Sequence, residues 1–378
     1  MNGIYLDNNA TTAPHPLVID AMRHVLETVP GNPSSIHDLG QQARTVVDRA
    51  REDVAALLHA RPSEIVFTSG GTESINTALH ACVRAAPPGK RRIIRSAVEH
   101  EAVTAAAAFL AEEVSVVGVD SEGRLDLSAL KRELERPACC LSLMLSNNET
   151  GVELPVRDAA ALARAAGVPV HVDAVQAIGK CVVEVERLGC DYLSIAAHKF
   201  HGPKGVGALY VRRGAAFTPL LHGASHENSR RAGTENTAAL AGMAVAAKLM
   251  GSGIAERRAH LAGLSQRLEA RLARLPGARI QGAGSSRMPG TSNVAFEGIE
   301  GAGIVLRVAR EGIAISAGSA CSASTGGGSH VLEAMHVPYS HLFGAIRVSC
   351  CEQTTAAEVD AAADAIERAL GALRAMMP

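Results

Sequence analysis

Lys199 and Asp173 are the two residues whose types and positions first suggest chemistry. Lys199 follows the apolar run DYLSIA and precedes a Gly-Pro-Lys-Gly turn, and Asp173 ends the apolar run VHVD. Both lie at the ends of predicted strands, where α/β proteins place functional groups. An amine that bonds to a cofactor and a carboxylate that faces a pyridine nitrogen form the pair that pyridoxal phosphate (PLP) requires. Taken singly, Lys199 can be a surface lysine and Asp173 a helix cap.

A glycine-rich turn supplies a candidate phosphate site. The predicted strand 64–69 runs into Gly70-Gly71-Thr72 and then into a helical pattern. Glycines at a helix start let backbone N–H groups approach an anion, which the helix dipole also favours. Thr72 adds a hydroxyl. The alternative is an ordinary strand-to-helix turn with a threonine cap.

His100, Asn147 and Asn148 follow two further strand-like runs. A histidine in that position can stack on a flat ring or move protons near neutral pH, although a structural histidine is the simpler interpretation. One of the two asparagines can donate to a ring oxygen or a carboxylate, while the other forms a turn.

Cys321 lies in the Ser/Ala/Gly-rich stretch ISAGSACSASTGGGSH, outside any convincing strand or helix. A loop cysteine near positive groups becomes a thiolate, which is the nucleophilic form. Arg347 begins a late apolar run, and its guanidinium fork suits a substrate carboxylate, with a structural salt bridge as the alternative.

The remaining cysteines are predicted to be reduced thiols, most of them inside apolar runs. They are Cys82, Cys139, Cys140, Cys181, Cys190, Cys350 and Cys351. No CxxC pair or closely spaced His/Cys set has the spacing of a zinc site, so the sequence predicts no bound metal.

Alternating strand and helix patterns must position these groups. The predicted helices at 38–58, 74–85, 101–111 and 156–166 alternate with strands that are apolar at consecutive positions, as expected for a mainly parallel sheet covered on both faces. The predicted strands are 64–69, 91–97, 114–119, 140–146, 168–173, 191–196 and 205–211.

The pattern changes after about residue 235. A long helical region at 237–275 precedes shorter strands, TSNVAFE, IAISA and AIRVSC, and a final helix at 355–376. This order predicts a smaller α+β domain that follows a long connecting helix.

Composition excludes several classes of function. The 378-residue chain has a net charge of −1, 3% aromatic residues and no tryptophan, so it lacks the basic and stacking surfaces of a nucleic-acid binder. No uncharged apolar run approaches the roughly 20 residues of a membrane helix. The start MNGIYLDNNATT lacks the pattern of a signal peptide, which predicts a cytoplasmic protein.

Together these motifs are specific, and the chain resembles the cysteine desulfurases of the NifS/IscS type, in the fold-type I PLP superfamily, almost end to end. The motifs that carry the resemblance are YLDNNATT, GNPSSIH, FTSGGTES, EH, NNETG, VDAVQ, HKFHGPKG, RAGTEN, GSAC and IRVS. It implies an α/β fold: a large PLP-binding domain at 14–250, with a mainly parallel seven-stranded sheet flanked by helices, and a smaller α+β domain of residues 1–13 and 251–378 that carries the cysteine loop.

The resemblance also implies how PLP is held. Lys199 would carry it, Asp173 would hold the ring nitrogen, Gln176 would hold the ring hydroxyl, and His100 would stack on the ring and transfer protons. Asn148 is a further expected cofactor contact.

The phosphate would bind Gly71, Thr72 and His198. Thr234 would reach the phosphate of the neighbouring subunit, which implies a homodimer.

The implied reaction converts L-cysteine to L-alanine. Asn148 and Arg347 would hold the substrate carboxylate, and Cys321 would take the sulfur as a persulfide and pass it to an acceptor or iron–sulfur scaffold protein. The sequence leaves that acceptor and its pathway open, along with the turnover rate.

Three features depart from the family pattern. Ala196 stands where a phosphate-binding serine is common, GASHENSR replaces a glycine-rich run, and Gly328 replaces a proline. None removes a required catalytic group.

The alternatives are a selenocysteine lyase, an aminotransferase on the same fold, and a non-catalytic binding module. Cys321 argues against an aminotransferase, and the presence of Lys199 and Asp173 argues against the binding module.

Overall fold

The computed structural model describes residues 3–318 and 328–376. The strands are β1 (Ile4–Tyr5), β2 (Ile65–Thr68), β3 (Arg92–Ser96), β4 (Glu113–Val117), β5 (Cys140–Met144), β6 (Val170–Asp173), β7 (Tyr192–Ala196), β8 (Gly207–Val211), β9 (Ala278–Ile280), β10 (Thr291–Phe296), β11 (Ile313–Ala314), β12 (Ser316–Ala317) and β13 (Ala345–Ser349).

The longer helices are α1 (Pro16–Thr28), α2 (Asp38–Leu57), α3 (Gly71–Ala85), α4 (Glu101–Leu110), α5 (Leu127–Glu133), α6 (Val156–Ala165), α7 (Val185–Leu188), α8 (Thr237–Gly251), α9 (Ile254–Leu272), α10 (Gly301–Arg310), α11 (His330–Ala334), α12 (Tyr339–Leu342) and α13 (Ala356–Arg374). Short 3-10 turns occur at Pro62–Glu64, Ala197–Lys199 and Glu227–Ser229.

Seven strands form the large sheet in the order β2-β8-β7-β6-β5-β3-β4. Only β8 runs antiparallel to its neighbours, so the other strands end at the same edge. Apolar residues cover both faces: α3 and α4 pack in one cluster, and α2, α6 and α8 contribute to another. The predicted fold class is confirmed, and the strands are apolar at consecutive positions because both faces are buried.

A second, antiparallel sheet has the order β12-β13-β10-β9, and β1 pairs in parallel with β11. Its core combines Leu6 with Leu261, Leu268, Ile346 and Ile366, so the start of the chain packs with the last third. The domain boundaries given above stay a prediction.

Two local expectations were wrong. The region 237–275 is two helices, α8 and α9, bent by 81° at a short break. Gly253 lies there at φ 64, a left-handed conformation that glycine adopts without steric penalty. IAISA forms two short strands, β11 and β12, which belong to different sheets.

Among the described residues, no individual helix is both long and apolar enough to cross a membrane; only α8 and α9, counted together across their bend, meet those criteria.

Candidate active site at the edge of the large sheet

A cavity of about 170 Å³ opens where the parallel strands of the large sheet end. Its wall contains eight of the predicted site residues, because they lie at or after the ends of five strands, β2, β3, β5, β6 and β7, that finish at the same edge. They are Gly71, Thr72, His100, Asn148, Asp173, Gln176, His198 and Lys199.

Lys199 follows β7 in a tight 3-10 turn. Its Nζ donates hydrogen bonds to the carbonyl oxygens of Asn9 at 2.6 Å and Ala10 at 2.9 Å. Burial lowers the pKa of Lys199 to about 8, and the positive charges of Arg347 and Lys180 act in the same direction. A substantial fraction of this amine is therefore neutral near pH 8, the form that reacts as a nucleophile or base.

Asp173 is buried at the end of β6. One carboxylate oxygen accepts a hydrogen bond from the Val175 N–H at 2.9 Å. Burial raises the pKa of Asp173, while that hydrogen bond and the charges of His100 and Lys199 oppose the rise. A cationic ring nitrogen would stabilise the ionised carboxylate.

His100 caps the start of α4. Its Nδ1 accepts a hydrogen bond from the Ala102 N–H at 3.0 Å, so a neutral ring carries its proton on Nε2. Burial lowers the pKa of His100, and Lys199 also lowers it, whereas Asp173 raises it. The lowered pKa favours the neutral ring, which offers its Nε2–H as a hydrogen-bond donor beside the cavity.

The start of α3 forms an anion cradle. Gly70, at its N-cap, has no side chain to bond the first N–H groups of the described helix, which remain available to a ligand. A Cβ at Gly71 would lie 2.7 Å from Val175 Cγ2, so the close approach of α3 requires glycine. Burial lowers the pKa of His198 to about 4, with Lys199 and Lys204 contributing.

Gln176 provides an unused acceptor. Its Nε2 donates to the Asn9 carbonyl at 2.8 Å, and its buried Oε1 has no hydrogen-bond partner in the described structure. A buried polar atom without a partner is unfavourable, so a ligand hydroxyl would fit here. A phosphorylated pyridine ring such as PLP fits this site. The start of α3 suits the phosphate, and Asp173, Gln176 Oε1 and Lys199 suit the ring and its substituents.

The second sheet contributes Arg347, which is 3% exposed. Its Nη1 donates to the Asn148 carbonyl at 3.0 Å, and its Nη2 donates to Asp7 Oδ1 at 2.7 Å. Its buried Nε has no partner among the described residues. The guanidinium lies next to the cavity without lining it.

Thr234 is not brought into this cavity. Thr234 is exposed and lines a different cavity, with Glu227 and Arg231. Cys321 lies outside the described residues. Ala196, at the end of β7, lines the site without any polar side-chain atom.

The sequence analysis missed Asn9 and Lys180. Lys180 is 6% exposed, and its Nζ donates to Asn9 Oδ1 at 2.7 Å. Asn9 Nδ2 donates to the Asn148 carbonyl at 3.1 Å and to Thr291 Oγ1 at 3.0 Å. Asn9 lies within the quoted motif YLDNNATT, but only the tertiary structure shows that it joins both sheets at the site.

The family model Aminotransferase class-V matches residues 4–362. The chain belongs to this PLP-dependent family, and its similarity to cysteine desulfurases extends over the full length. Cysteine desulfurases of Gluconacetobacter diazotrophicus and Klebsiella pneumoniae are each 44% identical, covering all of this chain and 96% and 95% of those proteins. The expected resemblance is confirmed.

Solved structures of NifS-like proteins are similar to this chain in fold. A NifS-like protein is 37% identical, has a TM-score of 0.92, and is matched over 98% of this chain and all of its own. A NifS-like protein from Rickettsia africae is 28% identical, with a TM-score of 0.90 and the same coverage.

Proposed function

We propose that this protein is a PLP-dependent cysteine desulfurase that converts L-cysteine to L-alanine and leaves the sulfur as a persulfide on Cys321. The observation that carries the proposal is the meeting of Lys199, Asp173 and His100 in one cavity, with the Arg347 guanidinium beside it. The full-length similarity to cysteine desulfurases supports the same reaction.

PLP would be held at three points. Its phosphate would bind the start of α3 with Thr72 and His198, its ring nitrogen would face Asp173, and its hydroxyl would face the free Gln176 Oε1. Lys199 would attach it covalently. When bound, PLP delocalises the electron pair released at the substrate's α-carbon.

Lys199 and His100 would take part in proton transfer. The burial that lowers the Lys199 pKa to about 8 keeps a neutral amine available to remove the α-proton. The neutral His100 ring can donate a hydrogen bond through its Nε2–H, and it would pass on a proton only from its imidazolium form.

Arg347 and Asn148 would hold the substrate carboxylate. The partnerless buried Arg347 Nε has an unused donor, and a carboxylate would satisfy it. Asp7 and the Asn148 carbonyl fix the other end of the guanidinium.

Cys321 would then attack the substrate sulfur. A sulfur–sulfur bond forms as the substrate carbon–sulfur bond breaks. The electron pair of the broken bond stays on the substrate carbon, which is protonated and becomes the methyl group of alanine. The persulfide on Cys321 would pass its outer sulfur to an acceptor or iron–sulfur scaffold protein.

The working unit would be a cytoplasmic homodimer. Thr234 is exposed and lines a different cavity from the one that contains Lys199, which agrees with a role at the phosphate of a neighbouring subunit.

The test compares the wild-type protein with Cys321→Ala and a control, Cys190→Ala, which alters a buried cysteine of the core. Spectra before and after addition of L-cysteine report on PLP, while alanine and sulfide are measured together with an added thiol reductant, which reduces the persulfide and releases its outer sulfur as sulfide. We expect equal alanine and sulfide from the wild type and control, and a spectral response without sulfide from Cys321→Ala.

Other outcomes would point elsewhere. Normal sulfide release by Cys321→Ala would overturn the proposal. A spectral response without sulfide in the wild type would indicate another PLP reaction, and a strong preference for selenocysteine would indicate a lyase for that substrate.

A further inference from the structure

Three metal-ligating side chains from distant parts of the chain meet outside the catalytic cavity. His201, Cys351 and Glu352 each offer one ligand atom, and these atoms lie within 4.8 Å of one another. His201 follows β7 in the turn that contains Lys199, and the other two follow β13. The mechanism proposed above uses none of them.

His201 is oriented as a ligand. Its backbone N–H donates to Thr12 Oγ1 at 2.7 Å, and its ring Nδ1 lies 2.8 Å from the Ala13 carbonyl oxygen. Because a carbonyl only accepts, Nδ1 carries a proton and the neutral ring presents its lone pair at Nε2. Histidines that bind metals commonly donate their other N–H to a carbonyl in this way.

The His201 Nε2 faces an acceptor. Glu352 Oε2 lies 3.2 Å away. Two lone pairs at that distance require a proton or a metal ion between them. Ligand atoms about 2.0 Å from a tetrahedral ion lie about 3.3 Å apart, so the observed separation suits either occupant.

Cys351 adds a third ligand, which an ion pair between His201 and Glu352 would not need. Of the seven described cysteines it is the only one that is not buried. Its N–H is held by Thr354 Oγ1 at 3.0 Å, which fixes the loop beside Glu352. A thiol of this partly buried residue, next to an imidazole and a carboxylate, completes a mixed nitrogen, sulfur and oxygen ligand set.

We propose that His201, Cys351 and Glu352 bind one divalent transition metal ion of the zinc class. Sulfur and nitrogen ligands select such ions over magnesium and calcium, and three protein ligands leave one position for water. Binding releases the Cys351 thiol proton. The ion would tie the turn that contains Lys199 to the loop between β13 and α13, and so connect the two sheets.

The sequence predicts no metal site, since spacing rules consider ligands that are close along the chain and His201 lies 151 positions before Glu352. A measurement of zinc binding decides between that prediction and this proposal.

Zinc binding is measured on the PLP-loaded protein in a Cys321→Ala background, which removes the predicted catalytic thiol as a competing ligand. We expect one zinc ion per chain, and an X-ray absorption spectrum with one sulfur at about 2.3 Å and nitrogen or oxygen at about 2.0–2.1 Å. Binding far below one ion per chain would overturn the proposal.

Single substitutions identify the ligands. Cys351→Ser and Glu352→Gln should each weaken zinc binding at least about tenfold, since even outer partners of metal ligands contribute about that much. Cys82→Ser, which changes a buried cysteine elsewhere, should leave it unchanged. Equal affinity in Cys351→Ser and Cys82→Ser would overturn the proposal and leave a proton between His201 and Glu352.

Thermal unfolding provides a second measurement. Zinc should raise the unfolding temperature of the Cys82→Ser control more than that of Cys351→Ser, because stabilisation by a ligand grows with its affinity for the folded state. An equal rise in both variants would contradict the assigned ligands.

Discussion

The large sheet and the antiparallel sheet contribute to the active site in different ways. The large sheet supplies His100, Asp173 and Lys199, each at or shortly after the end of a strand, and these strands end at the same edge. The antiparallel sheet supplies Arg347 from the middle of β13. A hydrogen bond to Asp7, near the start of the chain, holds its guanidinium in place.

The two sheets differ in what fixes the positions of the side chains that they supply. A residue after a parallel strand is placed by that strand and its neighbours. Arg347 is placed by Asp7 and Asn148, and Asn9 bonds to Ser349 Oγ through its N–H at 2.9 Å. We infer that the large sheet builds the cofactor chemistry and that the contacts between the two sheets set substrate binding.

Removing the amine should have the largest effect. Lys199→Ala should lower kcat for alanine formation by more than about 10⁴-fold, because it removes both covalent attachment and proton transfer. Lys204→Ala, an exposed lysine of the same turn, is the control and should stay within about twofold of the wild type. A Lys199→Ala variant with a tenth of normal activity would contradict the division of roles.

Replacing the guanidinium should affect substrate binding instead. Arg347→Lys should raise KM for cysteine about 10- to 100-fold with little change in kcat, because lysine keeps the charge but loses the fork. Arg279→Lys on β9 is the matched control. A fall in kcat with unchanged KM would place Arg347 in the chemical steps.

Asn9 tests the junction between the sheets. Asn9→Ala should lower the free energy of unfolding by about 1–3 kcal/mol, because the buried Lys180 loses its hydrogen-bond partner. It should also lower kcat/KM about tenfold, since the Asn9 side chain anchors the backbone segment whose carbonyl accepts hydrogen bonds from Lys199 and Gln176.

Asn8→Ala is the control for that variant. Asn8 Nδ2 bonds to the Ser349 carbonyl at 2.9 Å and does not reach the cavity. Chemical unfolding and steady-state kinetics should show a similar loss of stability with kcat/KM preserved. Equal kinetic losses in the two variants would mean that Asn9 acts only through stability.

The smallest expected effect is a shift in the pH dependence of PLP uptake. PLP attaches to the neutral amine, so its rate of uptake by the PLP-free protein should rise with pH through the Lys199 pKa of about 8. Arg347→Met removes a like charge, raises the Lys199 pKa and moves the midpoint to higher pH. Rapid absorbance measurements should show no shift for Arg279→Met; an unmoved midpoint in Arg347→Met would show that the charge of Arg347 does not contribute to the lowered Lys199 pKa.

Much of the fold could be predicted from local pattern. All seven predicted strands of the large sheet are present, because runs that are buried on both faces are apolar at consecutive positions. The break at Gly253 also carried a local signal, the sequence Gly-Ser-Gly, which the prediction of one helical region did not use.

The sequence by itself determined the groups that follow parallel strands, since one topological rule brings the end of every such strand to the same edge. Gly71, His100, Asp173 and Lys199 meet for that reason. The tertiary structure alone decided the roles of Asn9 and Lys180 and the meeting of His201 with Cys351 and Glu352. These contacts join segments far apart in the chain, and they depend on how two separately formed sheets pack, which no local periodicity or spacing records.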